Sequence, residues 1–501
     1  MKKVCLLLMI ILTTGLAGCG KADTKTETKQ ETVSEVVETE ESAEEEIVSD
    51  IVKIQLSNEE ILVNEEKISE DTEAAVYKAN DIIFYLKDQG IQYGNGTEAD
   101  AHSQIEADAH TVVHITEPGT YEVSGTLEAG QIFVDLGDGT KDEEEATATI
   151  ILRNADITCT VAPAIFFYRT YECAGDVDEE TAVMDVDTTA AGANLVLAEG
   201  SKNKVYGSYV AEIYESCELN EEGTEVVDSK RLHKYDGAVY SRRSMNVSGT
   251  GSLEITAENE GICSEMHMTI NSGKISIESG NDGINTSEEN ISVFTMNDGV
   301  LDIQVTGATG EGDGIDSNGW LIINGGTVNS FACATSVDAG IDSDKGIYIN
   351  GGTVAASGNM PAELAEGEQY AVSFESMEAL EEGETYEIKD AEENVVLEVS
   401  PKNAFTMLVV SAEGLSEDGQ YTLWLGHTQL NETKNEDEIQ ISSSFFPISY
   451  RKCDFRVLQH DAVHYHAMCH YCELSGNTRL RLSYPHHSEL VLQHPLFLEI
   501  R

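Results

Sequence analysis

Between Asp236 and Ser357 short apolar runs alternate with polar residues and single glycines, and one pattern comes round five times. Runs of three to five residues with apolar side chains at every second position are too short for helices and predict β-strands. Each run closes in a turn: Met-Asn-Val-Ser-Gly at 245–249, Thr-Ile-Asn-Ser-Gly at 269–273, Thr-Met-Asn-Asp-Gly at 295–299, Ile-Ile-Asn-Gly-Gly at 322–326 and Tyr-Ile-Asn-Gly-Gly at 348–352. The closing glycines lie 24, 26, 27 and 26 residues apart, the period of a solenoid rung. A second column precedes the first by about twelve residues: Asp236-Gly237-Ala238, Glu260-Gly261-Ile262, Asp282-Gly283-Ile284, Asp313-Gly314-Ile315 and Ala339-Gly340-Ile341. Glycine in both columns is expected to supply the positive φ of tight corners. Stacked, such rungs form an all-β parallel β-helix, each covering its neighbour's open strand edge. Ile270, Ile275, Ile284, Ile315, Ile323, Val328, Ile341 and Ile349 would fill its axis.

The same alternation extends to both sides. Val112–Ile115, Pro118–Gly125 and Gln131–Asp135 read as strand, turn and strand, the first rung and its cap. Further rungs fall at Thr149–Ile157 and Asn194–Asn203, about two periods apart. Either a rung is hidden in each gap, or loops such as Asp138–Glu145 and Gly175–Asp187 swell the rungs there. Residues 51–110 form a mixed N-terminal region with one short helix expected around Ala75–Asp88. The β-helix is bounded at 111–358, and after it strands at Tyr370–Phe374, Thr385–Ile388, Val395–Val399, Thr406–Val410 and Tyr421–Leu425 make a C-terminal β cap or small β-domain over 359–430. Residues 431–501 are an atypical His-rich tail, holding seven of the thirteen histidines. It is read as disordered or foreign to the fold, although Cys469-His470-Tyr471-Cys472 has zinc-ligand character.

Charge and address sharpen the picture. With 91 acidic against 30 basic residues the net charge is −61, which excludes nucleic acid and anionic membrane headgroups as direct partners and favours cations, neutral polymers or cation-bridged polyanions. Met1-Lys2-Lys3, an apolar run to Leu12 and Leu16-Ala17-Gly18-Cys19 form a signal peptide over 1–18 whose ending resembles the bacterial lipobox. Cleavage before Cys19 would leave a lipid-anchored protein on the outer face of a bacterial membrane. Residues 19–50, rich in Glu, Thr and Ser without aromatics, are expected to be a disordered tether. The ten cysteines show no disulfide framework.

The acidic column carries the sharpest chemistry. Equivalent positions on stacked rungs lie about 4.8 Å apart, which places Asp282 beside Asp313 and Asp316 beside Asp342, with Asn285, Asp338 and Asp344 close by. Carboxylates so near repel, and a hard cation taking six to eight oxygens relieves the repulsion; Ca²⁺ is the expected cofactor. The bland alternative is that each Asp caps its own corner through backbone N–H groups. The column Asn271, Asn297, Asn324 and Asn350 reads as a ladder of side-chain amides without functional role. Lys230, Arg231, Lys234, Arg242 and Arg243, with His233, are the densest basic run; they suit carboxylated sugars and equally a solvated face. Trp320, with Tyr168, Tyr171, Tyr209 and Tyr348, can stack on sugar rings or simply pack.

Val112–Gly125, Leu-Ala-Glu-Gly-Ser-x-Asn at 197–203, Ala238-Val239-Tyr240-Ser241 and the Asp-Gly-Ile and Asn-Gly-Gly units together resemble the clostridial carbohydrate-binding β-helix lipoproteins over about Val112–Gly426. The resemblance implies a right-handed parallel β-helix like that of pectate-lyase-type enzymes, bound calcium and affinity for plant cell-wall polysaccharides, acidic pectin or cellulose. Glu260, Ala339 and the Arg242-Arg243 pair depart from the pattern, and the tail has no counterpart. The leading expectation is a monomeric, surface-anchored, calcium-dependent polysaccharide-binding protein without catalysis. A polysaccharide lyase using Lys274, Arg243 or Lys345 as base is the alternative from another class, and an adhesin or spacer indifferent to sugars is the third.

Overall fold

A computed structural model describes residues 51–82, 104–220 and 222–432, together with four short strands further on. The described residues belong to one compact unit that begins at Ile51. The signal peptide, Cys19 and the tether therefore lie outside them. The fold is nearly all β: among the described residues only Gln104–Asp108 is α-helical. No described helix is long and apolar enough to cross a membrane.

Parallel pairing between successive repeats is the rule, and it produces two sheets. In the larger, Ala193–Leu197, Met245–Gly249, Met268–Ile270, Val293–Met296, Trp320–Ile323 and Ile347–Ile349 pair in that order. A second column of the same sheet runs Lys202–Gly207, Ser252–Ala257, Lys274–Ser279, Val300–Val305, Thr327–Phe331 and Thr353–Gly358. Ala148–Thr158 is long enough to pair with the first strand of both columns. The smaller sheet stacks Thr111–Ile115, Gly130–Asp135, Ile165–Arg169, Gly237–Ser241, Glu260–Ser264, Ile284–Thr286 and Ile315–Ser317, again parallel.

Alternation buries one residue in two, and the seven isoleucines and one valine expected at the axis are each at most 2 % exposed. Each apolar side chain thus meets its own equivalent from the next repeat, as Ile262, Ile284 and Ile315 do. The amide ladder forms as expected: Asn297, Asn324 and Asn350 each donate through Nδ2 to Oδ1 of the preceding Asn at 2.9 Å.

The glycines divide into two kinds. Those closing the Asn turns have positive φ, +119° at Gly273 and +104° at Gly299. Those of the acidic column do not; a Cβ on Gly261, Gly283 or Gly314 would run into the carbonyl oxygen of the next repeat's glycine. Close approach between repeats, rather than a left-handed backbone, requires glycine there.

Two further expectations change, and one alternative is decided. Opposite Glu260 stands Gly237, not Asp236, so Val239 rather than Ala238 stacks on Ile262; the slip puts the larger apolar side chain over its neighbour's. In place of a helix within 75–88, Val76–Ala79 is a strand antiparallel to Thr111–Ile115, where Tyr77 stacks on His114 at 4.4 Å. Residues 83–88 lie outside the described set. Of the two alternatives left open for the two-period gaps, swollen loops hold and a hidden rung does not, because Ala148–Thr158, Ala193–Gly207 and Met245–Ala257 are direct neighbours in the large sheet. Loops fill the gaps, including residues 170–192 and the hairpin of Val210–Leu219 with Val226–Tyr235.

At both ends parallel pairing gives way to antiparallel. Val52–Leu56 lies parallel to Gly119–Leu127 on one side and antiparallel to Leu62–Val63 on the other. Thr353–Gly358 pairs antiparallel with Phe405–Ser411, which pairs with Ala371–Leu380. A separate four-stranded antiparallel sheet of Tyr386–Lys389, Val395–Val399, Thr422–Leu425 and Thr428–Glu432 follows, so the strands expected over 370–425 are present, the first of them extended beyond Phe374 to Leu380. Asn403 reaches back from this region: its Nδ2 donates to the carbonyls of Val305 at 2.7 Å, Phe331 at 3.2 Å and Ala332 at 2.7 Å. The tail's short strands form two hairpins, Phe455–Gln459 with Tyr465–Cys469 and Arg481–Leu482 with Leu490–Val491, and its side chains lie outside the described set.

Candidate metal and carbohydrate site

Along the smaller sheet the residue after each buried apolar position lies on the opposite face of the sheet. Register places Tyr240, Cys263, Asn285 and Asp316 in one line, and the bridge between Ile315 and Ile341 continues it to Asp342. Side chains at the acidic end of this line converge. Asp313, Asp316 and Asp342 each bring a carboxylate oxygen within 4.8 Å of the other two. Burial is the largest cause raising their pKa values, and neighbouring carboxylates add to it. Asp313 is pushed up to about 10, and Asp316 well above the usual carboxylate range. Three acids that cannot all ionise unaided would be relieved by a bound cation.

The other four expected ligands stand outside this gathering. Asp282 accepts the Asp313 N–H at 2.8 Å, and Asp338 accepts the Gly312 N–H at 2.7 Å and the Ser336 hydroxyl, so each caps a corner of the neighbouring repeat rather than its own, as Asp313 also does in accepting the Ala339 N–H at 2.5 Å. Asp344 is exposed and raises both Asp316 and Asp342 by its charge. Asn285 donates to Glu260 Oε1 at 3.2 Å and Asp282 Oδ2 at 3.4 Å, while its own Oδ1 is buried without a hydrogen-bond partner. An orphaned amide oxygen next in register to Asp316 fits a hard, oxygen-seeking ion such as Ca²⁺. Asp313, Asp316 and Asp342 would hold it, with Asn285 and Asp282 offering further oxygens, and it would supply charge neutralisation and open positions for an oxygen ligand.

A second gathering lay outside the residues singled out for metal: Asp236, Glu260 and Cys263, all buried, with ligand atoms within 4.8 Å. Cys263 Sγ donates to Glu260 Oε2 at 2.7 Å. Burial first, then Glu260 and Asp236, raise its thiol pKa well above normal, so the sulfur stays protonated as a donor. Register could have flagged this pair, since Glu260 and Cys263 occupy the positions of Asp313 and Asp316.

The expected sugar contacts are described only in part. Lys230, Arg231 and Lys234 lie on the strand Val226–Tyr235, where side chains are outside the described set. Arg242 packs over Tyr168, 5.0 Å from the ring centroid, and its Nε lies 3.4 Å from Glu265 Oε1. Arg243 donates to the Arg242 carbonyl at 3.0 Å. Tyr168 belongs to an aromatic cluster with Phe133, Phe166 and Tyr235, so packing is its role. Trp320 is half-buried, with the Lys345 ammonium 4.4 Å from its ring centroid.

Relatives give this arrangement a context. The family model of carbohydrate-binding domain-containing proteins matches residues 109–199 and 177–404. The matched segments cover more than half of the chain, which therefore belongs to that family. A carbohydrate-binding domain-containing protein of Acetivibrio thermocellus is 28% identical over 167 residues, 33% of this chain and 44% of the relative. The chain thus spans less than half the length of that relative. A solved structure of a polysaccharide lyase-like protein from C. thermocellum, a gadolinium derivative, aligns with a TM-score of 0.35 at 21% identity, covering 63% of this chain and 98% of the other.

Proposed function

We propose that this is a non-catalytic polysaccharide-binding protein, held at the bacterial surface through a lipid on Cys19, whose stacked repeats form a right-handed parallel β-helix. Calcium at Asp313, Asp316 and Asp342 bridges the carboxylates of an acidic cell-wall glycan such as pectin. The observation that carries the reading is membership of a carbohydrate-binding family whose model spans the parallel ladder. The carboxylate cluster supports the calcium requirement, because a chain of net charge −61 repels a polyuronate unless a cation stands between them. Antiparallel closure at Phe405–Ser411 supports reading 359–430 as the cap over the last rung.

The test is electrophoresis of the protein in native gels cast with polygalacturonate, with calcium and with chelator. Retardation in calcium that is lost in chelator, with no unsaturated product released, is the expected outcome. Release of unsaturated uronides would replace the binding reading with a lyase, and equal mobility in all gels would remove the acidic-glycan claim.

A further inference from the structure

Two stacked corners lie just beyond the carboxylate cluster, Asp316-Ser317-Asn318-Gly319-Trp320 and Asp342-Ser343-Asp344-Lys345-Gly346. They are locked together: Asp344 N–H donates to Ser317 O at 3.1 Å, and Lys345 N–H and Ser343 Oγ each donate to Gly319 O at 2.8 Å. Lys345 and Trp320 are thereby fixed on the same two repeats as Asp316 and Asp342. The Lys345 ammonium donates to the Asn290 carbonyl and rests over the Trp320 ring. Asn290 is itself held at a left-handed φ of +60°, a conformation uncommon outside glycine.

The molecule contains an internal control for this arrangement. Lys389 lies 4.5 Å from the Trp424 ring centroid, and its ammonium is also ion-paired with Glu387 at 2.8 Å. Lys345 has the same aromatic support, yet among the described residues no carboxylate makes an ion pair with it, in a chain with 91 acidic side chains. An ammonium carries three donors, and neither a carbonyl nor a ring face neutralises its charge. Half-buried and pre-positioned, it is short of one anionic oxygen partner.

The geometry points to Lys345, propped on Trp320, as the direct receptor for a carboxylate of a uronate-containing polysaccharide, beside the metal that bridges a neighbouring carboxylate. This inference rests on the polysaccharide-binding reading and adds to it a residue that tells acidic from neutral glycans. It gives Lys345 a binding role in place of that of a catalytic base.

Affinity electrophoresis of the whole protein in calcium, with polygalacturonate and with a neutral β-glucan, tests it. Lys345→Met is expected to weaken retention by polygalacturonate roughly tenfold or more, the loss typical of a charged hydrogen bond, and to leave neutral-glucan behaviour and calcium titration unchanged. Lys389→Met, whose ammonium already has its acid, should behave as wild type. Thermal melting checks the fold, and Lys345→Gln stands in if the methionine variant is unstable. Wild-type retention of polygalacturonate by the Lys345 variants would overturn the inference while leaving the calcium-bridged reading intact. Failure of the wild-type protein to bind polygalacturonate would overturn that reading, and this inference with it.

Discussion

One line of side chains on the smaller sheet changes character along its length. At one end Phe133, Phe166 and Tyr240 follow one another in register; at the other stand Asn285, Asp316 and Asp342, with Cys263 between. The backbone is the same throughout: parallel strands, one repeat apart. The aromatic end satisfies itself, with Phe133 and Phe166 edge-to-face at 5.4 Å and Phe166 and Tyr240 at 5.5 Å. Its acidic counterpart is a cost to the folded state until something positive arrives. A repeat therefore supplies spacing only, and the side chain placed on it decides whether that spacing is spent on packing or kept for a ligand.

Breaking the aromatic end should have the largest effect. Phe166 is fully buried, and Phe166→Ala is expected to cost about 3–5 kcal/mol in urea unfolding; a loss under about 1 kcal/mol would show that this stack does not hold its end together.

The acidic end should respond in the opposite sense. With metal chelated, Asp313, Asp316 and Asp342 have folded pKa values raised above 3.8, so the folded state keeps protons that the unfolded chain releases. These groups favour folding below pH 3.8, and that contribution is lost as pH rises towards about 10, the value for Asp313. Chelated protein should melt higher at about pH 5 than at about pH 8, and Asp316→Asn should narrow that gap. Calcium at a hundredfold excess over its Kd should add about 2.7 kcal/mol to the wild type at neutral pH and little to Asp316→Asn. Equal calcium stabilisation of both proteins would move the ion elsewhere.

The smallest effect falls on the Asn ladder, which neither packs a core nor awaits a ligand. Asn324→Ala breaks the bonds to Asn297 and Asn350 and should lower stability by about 1 kcal/mol, with calcium binding untouched.

How much of this was legible in the chain depended on what each position is paid to do. Strands recurring at nearly constant intervals made the core and the amide ladder readable, because each residue meets its own equivalent and period alone gives the contact. The acidic column was half readable. Its spacing brought Asp313, Asp316 and Asp342 together, but spacing cannot say that Asp282, Asp313 and Asp338 turn to backbone N–H groups of the neighbouring repeat. Glycine in the second column was expected for its φ, whereas the reason lies in a neighbouring repeat's carbonyl, which no local pattern reveals. The helix expected within 75–88 failed at Val76–Ala79 because a partner far along the chain, Thr111–Ile115, offered a sheet edge. Lys345 was noticed only as a base, since its pairing with Trp320 depends on how two corners stack.

Asn403 has a consequence for synthesis. Its side chain supplies the donor for carbonyls on Val305, Phe331 and Ala332, which leave the ribosome long before it does. A nascent chain halted shortly after Gly358 would hold those oxygens towards water, and the last repeats would lack both this clasp and the antiparallel strand Phe405–Ser411. Repeats nearer the start can settle as they emerge, each on the one before. Completion of the last repeats thus waits on translation of the segment that follows them, so they are among the last parts of the described fold to become rigid.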